Sequence, residues 1–548
     1  MIEVAQAIVA VDIGTTSTKA AAFAVDGKVI ASAQRGYALS TPQPGRAEQD
    51  ADDVLEAVLA ALSAVVAETQ QSGMHVTGVS FSAAMHSLVG LDAELRPVTP
   101  LTTWADQRAK YQARRLRSGP RGLALHRRTG MPVHPMSPVV RLRWYLEEEP
   151  ETFRSVRYWA GIKEYVLGRL TGELVMDHSI ASATGMFHLE YAVWDSEALA
   201  YAGISAEQLP ALVPTTTVLK LRGGDYGLSD GAPIIVGAGD GPLANLGLGA
   251  VHPGTVACSI GTSGALRVTT DRPAVDDRGR VFCYALTSDR WVIGGAINNG
   301  GIVLEWLSDA IAPGASTDQV LAEAALSPAG SGGLLFLPYL LGERAPHWSG
   351  SPRGAYIGLT REHRRPDLLR SALEGVCLQL AVVMSSLSEA GVNVREIRAT
   401  GGFSRSPLWR SMLASAFGRP IGFAASAEGS SLGAALLGMT ALGLIDSLDH
   451  AAELVSIEDV ERPNPRDAEV YGELLPIFDS LFDALIPAFE KLPTAPSSHP
   501  LDAAPPATTS AARPGAGTPT EPGTASGAAA SAPSSDTSAL SSAAKENS

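Results

Sequence analysis

The sequence predicts an α/β protein with two similar domains, and two observations carry this prediction. The first is a strand–turn–strand–turn–strand pattern at residues 8–31, whose first turn consists of glycine and small hydroxyl residues. The second is the return of this device at residues 255–269, about 250 residues later, which indicates duplicated domains. Turns of this kind offer backbone N–H groups and hydroxyls to phosphate oxygens.

The first turn follows a strand that ends in a carboxylate. The apolar run Ile8–Val11 leads into Asp12, the turn Gly14-Thr15-Thr16-Ser17 follows, and Lys19 begins the next apolar run. Asp26-Gly27 then signals a hairpin. A bare anion at the end of a buried strand is costly, so a bound metal cation would explain Asp12. The alternative is an ordinary hairpin with a threonine-rich turn.

The second turn lies in the segment TVACSIGTSGALRVT. A β-rich run enters Gly261, Thr262 and Ser263, and a second run beginning at Ala265 leaves them. Neither turn is a P-loop, because no G-x-x-x-x-G-K-[ST] pattern occurs and a strand rather than a helix follows each one.

Composition excludes several classes of protein. The 548 residues are 45% hydrophobic and 18% charged, which is typical of two or three globular domains. A net charge of −15 disfavours nucleic acid and anionic membranes as partners. Cys258, Cys283 and Cys377 fit neither a disulfide framework nor a zinc motif. With no targeting segment before the first strand, we expect a reducing, cytoplasmic location.

Two strand ends carry candidate sugar contacts. A strand predicted at residues 75–82 delivers Met85 and His86, and a short apolar run leads to Trp104 and Asp106. Ligands bind at strand ends in open α/β sheets, so these four residues are predicted to contact the substrate. The alternatives are a half-buried, satisfied histidine, a core tryptophan and, for Arg108, a surface ion pair with Asp106.

A third strand end carries a candidate general base. The run PIIVGAGD ends at Asp240, and a helix of small residues is predicted from Gly241 to Ala250. Asp240 is interpreted as a carboxylate aimed into a cleft, where it would accept a proton from substrate. The alternative is a cap for the helix that follows.

Paired glycines mark the remaining candidate ligand contacts. Gly301 opens a predicted helix at Ile302–Leu307, and a predicted strand at Arg395–Thr400 ends in Gly401 and Gly402. Glycine pairs at such positions let the backbone approach a flat ligand such as adenine or ribose. After Leu492 the chain consists mainly of Pro, Ala, Ser, Thr and Gly, which predicts a disordered tail without sites.

Taken together and in this order, the segments VDIGTTSTK, GAGDG, SIGTSG and ATGGFSRSP resemble the FGGY family of carbohydrate kinases. Gly354–Glu374 resembles the C-terminal signature of the family, and Arg141 stands where the N-terminal signature usually has lysine. The resemblance covers residues 8–492 and implies two actin-like, ribonuclease H-like domains around an ATP cleft. It implies an N-terminal domain at 1–252 and a C-terminal domain at 253–492, followed by the tail at 493–548.

The resemblance also implies roles for single residues. Asp240 matches the catalytic base of the family and a metal-site carboxylate, and Asp12 matches the carboxylate that holds Mg²⁺. Glu305 departs from the glutamine of glycerol kinases at its position. Contacts to ATP are implied for a larger set of residues, namely Gly14, Thr15, Thr16, Ser17, Lys19, Gly261, Thr262, Ser263, Gly301, Glu305, Gly401, Gly402 and Ser406.

Within the family, the segments AMHSL, TTWADQRA, GIKEY and SIASATGMF are most similar to the kinases that phosphorylate gluconate. The resemblance therefore implies transfer from ATP to the terminal hydroxyl of D-gluconate, with a xylulokinase or other pentulose kinase as the alternative. Arg108 and Lys163 are the candidate cations for the substrate carboxylate. A non-kinase actin-like ATPase is the alternative from another class. A homodimer is a candidate assembly.

Overall fold

Two mixed β-sheets, one in each half of the chain, form the frame of the molecule. The computed structural model describes residues 5–224, 226–424 and 429–493. The described helices and strands all lie in one unit that spans residues 1–492. Residues 494–548 of the predicted disordered tail lie outside the described residues.

The first half carries the first sheet and its surrounding helices. Its strands are β1 Gln6–Ile13, β2 Ser17–Ala24, β3 Val29–Gly36, β4 Glu48–Gln49, β5 His75–Ala83, β6 Val89–Leu91, β7 Leu101–Thr102, β8 Tyr158–Ala160, β9 Val175–Asp177, β10 Phe187–His188, β11 Val193–Trp194, β12 Ala211–Val213, β13 Val218–Lys220 and β14 Pro233–Gly239. Its helices are α1 Ala51–Gln71, α2 Lys110–Arg117, α3 Pro120–Thr129, α4 Pro138–Glu148, α5 Pro150–Ser155, α6 Ile162–Thr171, α7 His178–Ser182, α8 Ser196–Ala202 and α9 Asp240–Gly247.

The second half carries the second sheet. Its strands are β15 Thr255–Ile260, β16 Gly264–Thr270, β17 Phe282–Ala285, β18 Trp291–Ile297, β19 Leu335–Leu337, β20 Ala355–Ile357, β21 Glu396–Thr400, β22 Ile421–Ala424 and β23 Ile457–Glu461. Its helices are α10 Ile302–Trp306, α11 Thr317–Ala324, α12 Arg365–Glu389, α13 Pro407–Phe417, α14 Gly429–Ala441, α15 His450–Leu454 and α16 Pro465–Phe489.

The two sheets repeat one topology. The first has the order β13-β14-β5-β1-β2-β3, and the second has the order β17-β18-β16-β15-β21-β22-β23. In each, an antiparallel run of three strands (β1–β3, and β15, β16 and β18) continues into two parallel strands, β5 and β14 or β21 and β22. The predicted duplication of an α/β unit is therefore confirmed.

Strand β1 lies inside the first sheet, between β5 and β2, and both of its faces are covered by helices. Its run Ile8–Val11 is fully buried, between α1 on one face and α14 on the other. The buried residues of α1 recur at helical spacing, and Asp50 caps the helix by accepting a hydrogen bond from the Asp52 amide at 2.8 Å. The sheet thus holds the turn after Asp12 in a fixed position.

Helix α14 comes from the second half of the chain but packs on the first sheet and on α9. The close approach depends on glycine, because a Cβ at Gly433 would lie 1.9 Å from the Leu243 carbonyl oxygen. A Cβ at Gly247 would lie 1.7 Å from the Gly429 carbonyl oxygen. Helix α14 is rich in small residues, and the helix that it contacts most closely is α9, which begins with Asp240.

Helix α12 is long and apolar enough, by length and composition, to cross a membrane. Of its most apolar window, 89% is buried inside the fold, which is the environment of a core helix.

The three cysteines are also buried, and burial raises the pKa of Cys258 and Cys283 to about 12, so these thiols are inert.

Candidate functional site

Two cavities lie on either side of the turn at residues 261–263. The first cavity has a volume of ≈ 320 Å³, and the second has a volume of ≈ 820 Å³. Ser263 lines the first cavity, whereas Gly261 and Thr262 line the second. The first cavity takes its wall from both halves of the chain, including Thr15, Met85, His86, Trp104, Asp240, Arg267, Tyr284 and Arg344.

Asp240 is the carboxylate in the wall of the first cavity. It follows β14 directly, and its Oδ1 accepts a hydrogen bond from the Gly241 amide at 2.8 Å. Burial, and then the charge of Asp12, raise its pKa to about 6, against the opposing effect of Arg267. Asp240 is the first residue of α9, whose N-cap is Gly239, so its carboxylate is not the cap of that helix and instead lines the cavity.

Asp12, one residue before the end of β1, has one hydrogen-bonded and one unpartnered carboxylate oxygen. Its Oδ2 accepts a hydrogen bond from the Ser430 hydroxyl at 2.7 Å, while its Oδ1 is buried without a partner. Within the described ranges, no group of three or more His, Cys, Asp or Glu residues is arranged to hold a metal. Magnesium is commonly bound by one or two carboxylates together with substrate phosphates, and the pair Asp12 and Asp240 fits that pattern.

His86 presents a defined tautomer to the first cavity. Its ring Nδ1 lies 2.9 Å from the Ala183 carbonyl oxygen, which only accepts, so Nδ1 carries the proton. Burial lowers its pKa to about 3, so the imidazole is neutral and Nε2 is an acceptor, 3.5 Å from the Tyr284 hydroxyl. The backbone of His86 has φ 68°, a strained value for a residue with a side chain.

Trp104 connects the first cavity to the turn after Asp12. Its indole Nε1 donates a hydrogen bond to the Thr15 hydroxyl at 2.9 Å. The Arg344 guanidinium lies over the Trp104 ring, 5.2 Å from its centroid. Trp104 therefore joins residues of both halves at the cavity wall.

The other residues of the first turn do not line either cavity. Gly14 donates its amide to the Ser17 carbonyl at 3.0 Å, and the Ser17 hydroxyl accepts from Gln34 at 2.7 Å. Thr16 is exposed, and Lys19 lies opposite Asp12 in the β1–β2 ladder. Of this turn, Thr15 is the residue that reaches the first cavity.

Asp106 is not brought to the cavity. It is fully buried, and its carboxylate accepts hydrogen bonds from the Ala47 amide at 2.9 Å and from the Arg108 Nε and Nη2 at 2.8 Å each. The placement of Asp106 does not support its predicted sugar contact. Its interactions are those of a structural residue that shapes the loop after Trp104.

The two candidate cations for a substrate carboxylate are also placed elsewhere. The Arg108 side chain is buried and forms ion pairs with both Asp106 and Glu48. Lys163 is buried and lies 2.6 Å from the Asp177 carboxylate. Both charges are already paired inside the fold, so their placement does not support the prediction that either meets the substrate.

Arg141 contacts both segments that flank the first cavity, the one that contains His86 and the one that contains Thr103. This fully buried guanidinium donates to the carbonyl oxygens of His86, Thr103 and Met136, the last at 2.7 Å, and to the Thr102 hydroxyl. The lysine usual in the family signature has fewer donors and no planar fork. The departure at this position therefore gives one side chain contact with both segments that flank the first cavity.

The second cavity collects the predicted nucleotide contacts of the second half. The glycines at the start of α10 pack on the second turn, with the Gly301 amide donating to the Gly261 carbonyl at 2.6 Å. Gly401, beside this cavity, has φ 116°, and a Cβ there would lie 2.2 Å from the Ile260 carbonyl oxygen. The residues that line the second cavity and were predicted to contact ATP are Gly261, Thr262, Gly301, Glu305, Gly402 and Ser406.

Sequence reasoning missed two arginines of the first cavity. Arg267 lies on β16, and Arg344 lies in the loop between β19 and β20. The sequence could have singled out Arg267, because it is a cation between the apolar residues Leu266 and Val268, directly after the second turn of an acidic chain. Arg344 carried no comparable signal, since its approach to the cavity depends on the loop between β19 and β20.

Known proteins match this chain over most of its length. The profiles of the N-terminal and C-terminal domains of the FGGY family of carbohydrate kinases match residues 7–247 and 256–442. A gluconokinase of Bacillus licheniformis is 41% identical over 491 residues, covering 87% of this chain and 95% of that protein.

Solved structures agree with the fold. A gluconate kinase from Lactobacillus acidophilus aligns with a TM-score of 0.85 and 35% identity, covering 89% of this chain and 99% of that one. A ligand-bound xylulose kinase from the same organism aligns with the same TM-score, identity and coverage. The two-domain α/β fold is thus shared with proteins that carry two different substrate names.

Proposed function

This chain belongs to the FGGY family of carbohydrate kinases, and from that premise we propose that it transfers the γ-phosphate of ATP to the terminal hydroxyl of D-gluconate. The products are 6-phospho-D-gluconate and ADP. The observation that carries the proposal is Asp240, a carboxylate with a raised pKa in a cavity that also contains two arginine side chains.

In the proposed reaction Asp240 is the general base. Its carboxylate accepts the proton of the terminal hydroxyl, and that oxygen forms a bond to the γ-phosphorus while the bond from phosphorus to the β,γ-bridging oxygen breaks. A pKa of about 6 leaves Asp240 ionised at neutral pH while keeping it a stronger base than an exposed aspartate.

In this proposal the transferred phosphate lies at the turn at residues 261–263. Its residues separate the two cavities, with Ser263 on one side and Thr262 on the other. An acceptor in the first cavity and ATP in the second would therefore meet at this turn. Alignment of the two reactants is the main requirement of phosphoryl transfer.

Asp12 and Asp240 are the residues that would hold Mg²⁺ in this proposal. The unpartnered Oδ1 of Asp12 supports that assignment, because a buried oxygen without a partner is costly unless a cation or donor reaches it. A metal held there would supply positive charge that offsets the charge developing on the phosphate during transfer.

The charge of the first cavity supports an anionic acceptor. Arg267 and Arg344 line it, His86 is neutral, and Asp240 is the carboxylate among its lining residues. The relatives named for gluconate support the same substrate, whereas those named for xylulose support the alternative. The buried thiols support a cytoplasmic location, which we include in the proposal.

A coupled ADP-release assay with gluconate, D-xylulose, L-ribulose and glycerol at saturating Mg-ATP tests the proposal. We expect kcat/KM for gluconate to exceed that for either pentulose by about tenfold or more, because the site pairs its polar groups with a specific acceptor. ATP turnover without acceptor should be negligible. A pentulose that equals or beats gluconate would overturn the substrate assignment, and acceptor-independent turnover would favour a non-kinase ATPase.

A further inference from the structure

Arg267 is a cation without a protein partner in the wall of the first cavity. Among the described residues it forms no ion pair and no side-chain hydrogen bond, and its carbonyl oxygen accepts from the Asn245 side chain at 3.3 Å. Its guanidinium passes beside the first turn of α9, since a Cβ at Gly241 would lie 3.3 Å from Arg267 Nε. Since Arg267 lines the cavity and its side chain has no protein acceptor within the described ranges, its N–H donors are available to a ligand bound there.

Arg344, the other arginine of the cavity, is already held by the protein. Its Nε donates to the Asn298 side chain at 2.7 Å, and its Nη2 donates to the Ile297 carbonyl at 3.2 Å. Its guanidinium also lies over the Trp104 ring. These contacts fix Arg344 in one orientation and use part of its donors.

Arg267 is half-buried and has no protein partner among the residues that the structure describes, so an anionic ligand in the cavity can reach its guanidinium. Burial lowers the pKa of its guanidinium, and the nearby Asp240 charge opposes that effect without forming an ion pair. A direct ion pair between Asp240 and Arg267 would make the carboxylate less available to accept the proton of the hydroxyl. An anion on the acceptor itself can satisfy the arginine and leave the carboxylate free for the hydroxyl.

We propose that Arg267 is the residue that selects the acceptor's carboxylate, through a two-point hydrogen-bonded ion pair, while Asp240 meets the hydroxyl that is phosphorylated. This inference rests on the proposed function. The guanidinium fork matches a carboxylate and does not match an amide or a ketone equally well, because only the carboxylate offers two equivalent charged acceptors. Arg344 is a positioning residue that anchors Trp104 and does not discriminate between acceptors.

The experiment compares D-gluconate with D-gluconamide, its neutral analogue of nearly the same shape, at saturating Mg-ATP. Wild-type protein should prefer gluconate by about 10²-fold in kcat/KM, since removing one partner of a desolvated charge pair has effects of this order. In Arg267→Met the preference should fall to about one, mainly through loss of activity on gluconate. Arg267→Lys keeps the charge without the fork and should retain a preference of about tenfold.

Two further variants serve as controls. Arg272 is exposed and follows β16, so Arg272→Met tests the same substitution away from the cavity and should keep the full preference. Arg344→Met should lower kcat/KM for both acceptors by a similar factor and so keep the ratio. Melting temperature and ATP binding of each variant report folding, and Arg267→Lys gives the answer if Arg267→Met does not fold.

Several results would overturn the inference. It fails if Arg267→Met retains the preference, if it lowers activity on both acceptors equally, or if Arg344→Met is the variant that abolishes the preference. An equal loss on both acceptors would place Arg267 at the transferred phosphate. Wild-type protein that uses gluconate and gluconamide alike refutes the inference but not the proposed function, whereas wild-type protein that prefers D-xylulose to gluconate refutes both.

Discussion

At the scale of single residues, Asp240 is a carboxylate that lines the first cavity and has its pKa raised to about 6 by burial and by Asp12. We expect Asp240→Asn to lower kcat by about 10²–10⁴-fold, the usual contribution of a general base. ATP binding should remain, because Asp240 does not line the second cavity. Single-turnover kinetics and nucleotide titration measure the two effects. Asp271→Asn, an exposed control, should be unaffected, and near-normal turnover of Asp240→Asn would remove Asp240 from the base role.

The pH dependence of the reaction follows from the same carboxylate. Because the base must be ionised, kcat/KM should fall as the pH drops through about 6, the value to which burial and Asp12 raise the pKa of Asp240. A pH–rate profile from 4.5 to 8.5 measures this limb. The residual activity of Asp240→Asn should lack it, and an unchanged limb in that variant would assign the titration to another group.

The raised pKa also predicts an effect on stability. The folded protein favours protonated Asp240, so this stabilising effect is complete below the ordinary pKa of 3.8 and is lost as the pH rises through about 6. Asp240→Asn stays neutral, so it should raise the melting temperature by about 2–4 °C at pH 8 and leave it unchanged at pH 4. Calorimetry at the two pH values measures the difference. Equal shifts at both would exclude ionisation as the cause.

At the scale of helices and strands, the contact between α14 and α9 holds Asp240 at its position. Gly433→Ala would place a Cβ 1.9 Å from the Leu243 carbonyl oxygen, so the helices must separate. We expect a lower melting temperature and a lower kcat, measured by calorimetry and steady-state assay.

Gly472 in α16 is the matched control for that substitution. It is exposed, lies within a helix and has nothing within 4 Å of an added Cβ. Gly472→Ala should therefore be neutral or stabilising by about 0.5–1 kcal/mol, through the higher helix propensity of alanine. If Gly433→Ala behaves like Gly472→Ala, the α9–α14 contact is looser than the structure indicates.

At the scale of the whole molecule, the described hydrophobic core ends before the C-terminal tail begins. The last buried side chain described is Phe489, which joins a cluster with Leu335 and Tyr339. Truncation after Leu492 should therefore leave the melting temperature and kcat unchanged. Truncation after Pro463 is the contrasting control, because it also removes the buried Tyr471 and Phe478, and it should destabilise the protein. Loss of activity on removal of the tail alone would show that residues 493–548 contribute to the fold or the site.

Much of the architecture could be predicted because its causes are local in sequence. The strands around Asp12, helix α1 and the strand ends at Asp240 follow from the spacing of apolar residues and from turn chemistry, which act between neighbours. The repeated turn predicted two similar sheets for the same reason. Nothing in these signals requires knowledge of a distant segment.

Which polar residues line the site was decided by tertiary structure. Asp106 and Arg108 lie two residues apart, but whether they face a ligand or the core depends on Glu48, which lies far from both in sequence. Arg267 reaches the first cavity because β16 and α9, from different halves, pack side by side. The sequence by itself determined which backbone segments end in polar groups. The packing of the two halves determined which of those charges are neutralised inside the fold and which remain for a ligand, because neutralisation depends on partners that local sequence does not specify.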